Sequence, residues 1–179
     1  MKQWRVFALG LGCFVFGAIA QSGFAQSRKP VFSLDYFRPK DAKTAAAGLL
    51  DGALVLAGNG SWERIAVGRA WYLGGDKAKG QQIFDGVTTG KKVEGSDWFR
   101  IGRVYAEANE WDKAQEAFDR ALARDAGDDS GMIEYGALAN VNHDRAKAEL
   151  LFTKALEKNP REFWHWVAAG ASYLGVRPQ

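Results

Sequence analysis

The sequence is poor in the side chains that most often catalyse reactions or bind metals. Its 179 residues include one cysteine, Cys13, and two histidines, His143 and His165. A single cysteine excludes a disulfide within the chain, and the two histidines are too far apart for a recognisable metal-ligand spacing. A glycine-rich phosphate-binding loop of the P-loop kind is also missing. We therefore expect no cofactor, no catalytic residues, no metal site and no small-molecule substrate.

An excess of charge of one sign is missing as well. The formal net charge is +3, from 24 basic and 21 acidic residues. Two of the basic residues, Lys2 and Arg5, lie in the first 25 positions, and no acid precedes Asp35, so the rest of the chain is nearly neutral. A nucleic-acid-binding protein usually needs a basic face that neutralises phosphates. The charge balance therefore argues against a nucleic-acid partner.

Residues 1–25 have the pattern of a secretory signal peptide. Lys2 and Arg5 precede an apolar stretch over residues 6–20. A helix of that length rises about 22 Å, which is less than the roughly 30 Å hydrocarbon core of a bilayer. Small residues spaced for cleavage end at Ala20 and at Ala25. The pattern predicts export to a bacterial periplasm, with cleavage after Ala25 or, as second choice, after Ala20.

Two alternatives remain open for this leader. It could stay uncleaved and anchor the chain in the inner membrane, and membrane contact is expected only in that case. Cys13 could instead be a lipidation site. Against that reading, most of the apolar stretch follows Cys13, and Gly10 stands where such sites normally have leucine.

A period of 34 residues runs through the chain after residue 60. Glycine recurs at this period, and so does phenylalanine with a small residue four positions before it: Gly68, Gly102, Gly136 and Gly170; Phe84, Phe118 and Phe152; Gly80, Ala114 and Ala148. Glycine inside a helix costs about 1 kcal/mol relative to alanine, so its recurrence needs a packing reason. We expect each glycine to allow a close contact with the small residue of a second helix.

Two helical faces make up one period. Residues 98, 101 and 105 are large and lie on one face of a helix. Residues 114, 118 and 121 likewise lie on one face of a partner helix. The combined pattern resembles the tetratricopeptide repeat: Trp98-x2-Ile101-Gly102-x2-Tyr105, then Ala114-x3-Phe118-x2-Ala121. A further copy ends at Pro160, and the copy before residue 95 is degenerate. The resemblance implies an all-α fold, a short right-handed solenoid of antiparallel helix pairs.

The period also predicts the boundaries of the units. We expect a signal peptide over 1–25, a flexible lead-in over 26–40, a half-repeat helix over 41–60, a degenerate repeat over 61–94, repeats over 95–128 and 129–162, and a terminal helix over 163–179. Residues 163–176 carry few charges, so we expect the outer side of this last helix to meet a partner or a second copy.

The resemblance further implies that the first helix of each pair lines a concave groove for a peptide or protein segment. Carried onto this chain, the groove positions are Trp62, Ile65, Arg69, Phe99, Arg100, Arg103, Ile133, Glu134, Trp164 and Val167. The family's carboxylate-gripping clamp needs lysine in a column that is apolar here, so we do not expect that clamp. An apolar floor beside Arg69 and Arg103 instead favours an amphipathic or acidic segment.

The same residues allow other interpretations. Arg103 could pair with Glu107 on its own helix, and Arg100 with Glu134 of the next repeat, leaving only an ion-pair ladder. Residues 26–40 could cover the apolar column. The favoured function is a periplasmic scaffold that binds another protein. The alternatives are a membrane-tethered structural subunit of an envelope complex, or an enzyme subunit whose residues the sequence does not reveal.

Overall fold

A computed structural model describes residues 38, 41–90 and 92–178, and this part of the chain forms eight α-helices and no strand. The helices are α1 (Ala42–Ala57), α2 (Ser61–Leu73), α3 (Lys77–Thr88), α4 (Gly95–Glu107), α5 (Trp111–Arg124), α6 (Asp129–Val141), α7 (Arg145–Lys158) and α8 (Phe163–Tyr173). The predicted leader with Cys13, and all of the predicted lead-in except Arg38, lie outside the described residues. In the described ranges, none of the helices is both long and apolar enough to cross a membrane.

The helices pack as consecutive pairs. The closest contacts join α2 to α3, α4 to α5 and α6 to α7. We call α2, α4, α6 and α8 the first helices and α1, α3, α5 and α7 the second helices. First helices of neighbouring repeats also contact each other: α2 contacts α4, and α6 contacts α8. This confirms the predicted all-α solenoid of helix pairs. Within the described residues, α1 and α8 are single helices at the two ends of the stack.

Each pair is joined by a tight turn of the same design. The turn after α4 places Asn109 in the left-handed region at φ 59°, and the turn after α6 does the same with His143 at φ 69°. The following amide then reaches back to the helix, as Glu110 N–H does to the Tyr105 carbonyl at 2.9 Å. Such a C-terminal cap satisfies carbonyls that the helix leaves free. The chain thus reverses within three residues and starts the second helix.

A glycine and a phenylalanine interlock the two helices of each pair. A Cβ placed on Gly102 would lie 2.6 Å from Cε1 of Phe118, and one placed on Gly136 would lie 2.7 Å from Cε1 of Phe152. The expectation that the small residue four positions earlier fills the gap was therefore incomplete. The small residue approaches the backbone of the first helix, while the phenylalanine ring takes the space that a side chain on the glycine would need.

The rings at these contacts continue from one repeat into the next. Phe118 is fully buried, with its ring centre 4.9 Å from that of Tyr135 in the following repeat and 5.6 Å from that of Phe99. A separate small cluster under α1 joins Leu50 to Trp71 and neighbouring residues of α2 and α3. Each repeat is therefore stabilised mainly by its neighbours, as expected for a solenoid.

Candidate protein-binding face

The first helices α2, α4 and α6 present a charged surface, which we call the first-helix face and define by Arg69, Arg103, Glu107 and Glu134. Two ion pairs cross it from one repeat to the next. Arg69 of α2 contacts Glu107 of α4 at 2.7 Å, and Arg103 of α4 contacts both carboxylate oxygens of Glu134 in α6. The bond to Glu134 raises the pKa of Arg103.

These pairs correct the predicted arginine pair. Both arginines are neutralised, so the face offers no free positive site for an acidic segment. The alternative of an ion-pair ladder describes the face better, although its partners differ from those expected. Arg103 pairs with Glu134 and not with Glu107 of its own helix, because Glu107 pairs with Arg69.

Arg100 stacks on an aromatic ring instead of pairing with Glu134. Its guanidinium carbon lies 3.3 Å from the ring centre of Trp62, and one of its nitrogens donates to the Ser96 carbonyl at 3.0 Å. Burial against these groups lowers the pKa of Arg100. A guanidinium over an indole ring is a favourable cation–π arrangement, so this stack connects α2 to α4 at the edge of the face.

The predicted apolar column is not an accessible floor over most of its length. Ile65, Phe99 and Ile133 are buried, because neighbouring helices cover them. Phe99, for example, packs where a side chain on Gly131 of α6 would otherwise lie. Val167 is the member of the column that stays exposed, and Trp164 is exposed at the start of α8.

The chain's own C-terminal segment lies on the first-helix face. After α8 the backbone turns at Gly175, and residues 176–178 run to the cleft between α4 and α6. Arg177 donates to the Ala106 carbonyl at 3.3 Å and to Oδ1 of Asn109 at 3.4 Å. Arg177 and Pro178 share a cavity of about 200 Å³ with residues of both helices: Arg103, Ala106, Glu107, Glu134 and Leu138.

The position of Arg177 has a simple electrostatic reason. The carbonyls of the last turn of a helix lack partners inside the helix and carry partial negative charge, which attracts cations. Ala106 is in the last turn of α4, and Asn109 in the following turn adds an amide oxygen. The cleft therefore accepts an extended segment with a basic side chain.

A charged cluster near the turns that join paired helices was missed at the sequence level. Glu110 accepts hydrogen bonds from Lys113 at 2.7 Å and from the Tyr72 hydroxyl at 2.6 Å, and it also pairs with Lys77. These bonds lower the pKa of Glu110 to about 2, with the Lys113 bond as the largest cause. The cluster joins three helices, and its charged groups form their hydrogen bonds with one another. This arrangement fits a structural role.

The histidines do not form a site together. His143 is exposed in the turn after α6, where its backbone takes the left-handed conformation. His165 is buried at the start of α8, with Nε2 3.3 Å from Oγ of Ser130. Among the residues that the structure describes, no group of three metal-ligating side chains comes together.

A second cavity opens on the other side of the solenoid. It has a volume of about 430 Å³ and lies between α3, α4 and α5, with Glu116 and Arg120 on its rim. Those two residues form an ion pair within α5 at 2.6 Å. This cavity is therefore a second candidate binding site, and like the first-helix face it carries an arginine–glutamate ion pair.

Comparison with known proteins identifies one unit of the chain. Residues 96–128, which hold α4 from its second residue, the following turn and α5, match the family model of the tetratricopeptide repeat. None of the curated proteins and none of the solved structures matches the chain. The matched unit contains Arg103 and Glu107 of the first-helix face.

Proposed function

Since the chain is a tetratricopeptide repeat protein, for which interaction with other proteins is the general role, we propose that it is a scaffold that holds an extended segment of a partner in the cleft between α4 and α6. The observation that carries this proposal is the chain's own C-terminal segment, which occupies that cleft. A site that accepts residues 176–178 offers a partner segment the same Ala106 carbonyl and Asn109 side-chain oxygen.

The chemistry of the cleft suggests what the partner segment carries. Arg177 reaches the end of α4, and Leu138 and Ala106 supply apolar surface beside it. A partner with one basic residue next to apolar ones would reproduce these contacts. The proposed partner is therefore an amphipathic segment with a basic residue, which keeps the amphipathic alternative expected from the sequence and replaces the acidic one.

We place this activity in the bacterial periplasm on the strength of the leader alone. The N-terminal mass of the protein isolated from its own cells tests this location. A chain that begins at Gln26 or Gln21 supports it, and a chain that begins at Met1 in the membrane fraction would favour the membrane-tethered alternative.

Site-specific photo-crosslinking in the source cells tests the proposed face. A photoreactive amino acid replaces either Arg69 or Glu107 on the first-helix face, or Arg120 or Glu116 on the opposite side. The four side chains are well matched, since each pair is an exposed arginine–glutamate ion pair. Such exposed pairs contribute little to stability, so all four variants should fold.

We expect a discrete crosslinked protein from positions 69 and 107 and none from positions 116 and 120. Crosslinks from positions 116 and 120 alone would overturn the proposal and assign binding to the 430 Å³ cavity. Absence of a crosslinked protein from all four positions would also contradict it.

A further inference from the structure

The two ends of the solenoid are complementary halves of one helix pair, and we infer that copies of this chain associate head to tail, with α8 of one copy packed against α1 of the next. This goes beyond the proposed binding of a partner segment, because it uses different surfaces. The first observation concerns α8, which is a first helix that has no second helix following it among the described residues.

The interlocking contact found in every complete pair is missing at α8. Gly68, Gly102 and Gly136 each face a phenylalanine ring at 2.6 to 2.7 Å from the place a Cβ would take. Around Gly170, the described residues leave open space, with no atom within 4 Å of that place. Gly170 of α8 therefore lacks the phenylalanine ring that packs against the corresponding glycine in each complete pair.

Large apolar side chains surround this open position. Val167 and Tyr173 are 42% and 49% exposed, whereas Phe99 and Tyr105, at the same positions of a complete repeat, are 4% and 7% exposed. The open strip of α8 follows helical spacing: Phe163, Trp166, Val167, Gly170 and Tyr173. A helix with that exposed strip needs a covering helix, because monomeric proteins rarely leave such patches open.

The chain's own tail does not provide the cover. Relative to the 34-residue period, α2, α4 and α6 end two residues later than α8 does. The C-terminal cap of α8 therefore forms two residues early, and in it the Val176 N–H donates to the Ala171 carbonyl at 3.0 Å. Gly175, at φ 76°, then directs the backbone towards the cleft between α4 and α6. The place of a second helix beside α8 stays free of residues 174–178.

At the other end, α1 is a second helix, and the part of the chain that the structure describes places no first helix before it. Exposed apolar residues of α1 follow helical spacing at Ala42, Ala46, Leu49 and Leu56, and Ala53 between them is partly buried against α2 and α3. Ala114, Ala117 and Ala121 hold the corresponding places in α5 and are at most 2% exposed, because α4 covers them. On α1 the matching Leu49 is 44% exposed.

Charge and position make the two ends fit one another. The stripe of α1 carries no charged side chain, and α8 has none along its length. Asp51 of α1 points elsewhere, to Lys79 of α3 at 2.9 Å. Leu50 of α1 takes the place of Phe118 in the period and is only partly buried against Trp71 of its own chain, so a neighbouring copy would present the remaining exposed side of Leu50 to the open position at Gly170.

Such a contact is heterologous, because each copy contributes a different end. Repetition of a heterologous contact builds an open chain or a ring and not a closed two-fold dimer. This property allows a test that separates head-to-tail association from pairing of two identical α8 faces and from cover of α1 by another part of the same chain.

The test uses two blocking variants of the complete coding sequence, so that the host processes the N-terminus. Gly170→Glu blocks the α8 end, and Leu49→Glu blocks the α1 end. Neither position is buried, so both variants should keep the fold. Gly86→Glu is the matched control, because Gly86 is an exposed glycine within α3, away from both ends. Circular dichroism and melting establish that all three are folded.

Sedimentation velocity then measures mass against concentration. We expect the wild type and Gly86→Glu to grow in mass with concentration, and each blocking variant alone to stay monomeric. A mixture of the two blocking variants should form a heterodimer, because one unblocked α8 and one unblocked α1 remain. A monomeric wild type, or a Leu49→Glu variant that still dimerises by itself, would overturn the inference.

Discussion

A glycine in the middle of a helix ordinarily lowers its stability, and every first helix of this chain has one. At three of these glycines a phenylalanine ring fills the space that a side chain would take, and at the fourth, Gly170, that space is open. The same residue at the same point of the period therefore has opposite consequences for substitution. The period alone could not reveal this difference, because it does not show that the described residues place no second helix against Gly170.

Gly136→Leu should lower the free energy of unfolding by about 1–3 kcal/mol or more, because the new side chain collides with Phe152. Gly170→Leu is the control and should leave stability unchanged or raise it by up to about 1 kcal/mol, since it gains helix propensity in open space. Urea unfolding of both variants, at a protein concentration where the chain is monomeric, measures the difference. Equal effects would contradict the interlocking contact.

The carboxylate of Glu110 should make the stability of the fold depend on pH. Its pKa is lowered from 4.5 to about 2 by Lys113, Lys77 and Tyr72. A carboxylate with a lowered folded-state pKa stabilises the fold above its unfolded pKa and loses that effect as the pH falls through the folded value. The wild type should therefore melt higher than Glu110→Gln at neutral pH, and the difference should disappear between about pH 4.5 and pH 2. A constant difference over this range would be inconsistent with the cluster.

At the scale of the helices, the sequence predicted the pairs well and the contacts between them less well. The 34-residue period predicts helices and turns because each is set by nearby residues, such as the Asn109–Glu110 turn. The ion pairs depended on which of several carboxylates lies nearest to each arginine, and sequence spacing does not determine that choice. Arg103 could reach Glu107 or Glu134, and the packing of α6 places Glu134 in contact with Arg103.

Phe118→Ala should cost about 3–5 kcal/mol, because this ring is fully buried between two repeats. Phe163→Ala is the matched control, since Phe163 is 65% exposed on α8, and it should cost little. Thermal melting of both variants provides the comparison. A Phe118→Ala variant as stable as Phe163→Ala would mean that the second helix of this repeat does not pack as described.

At the scale of the whole molecule, the contact that defines the candidate site was beyond sequence reasoning. Arg177 and Ala106 are 71 residues apart, and Arg177 lies outside the helices that follow the period. One signal was present in hindsight: Gly175 stands two positions before the place where Asn109 and His143 turn the chain. An early turn sends the tail across the solenoid to the first-helix face.

If the cleft between α4 and α6 is the binding site, the tail competes with the partner for it. A site that its own chain occupies binds a ligand more weakly, in proportion to the fraction of molecules in which it is free. The most direct measurement is a titration of the crosslinked partner, once identified, against the wild type and Arg177→Ala, with Arg161→Ala in the exposed turn before α8 as control. Arg177→Ala should bind the partner severalfold more tightly, and Arg161→Ala as the wild type does. Equal or weaker binding by Arg177→Ala would contradict the assignment of the cleft as the binding site.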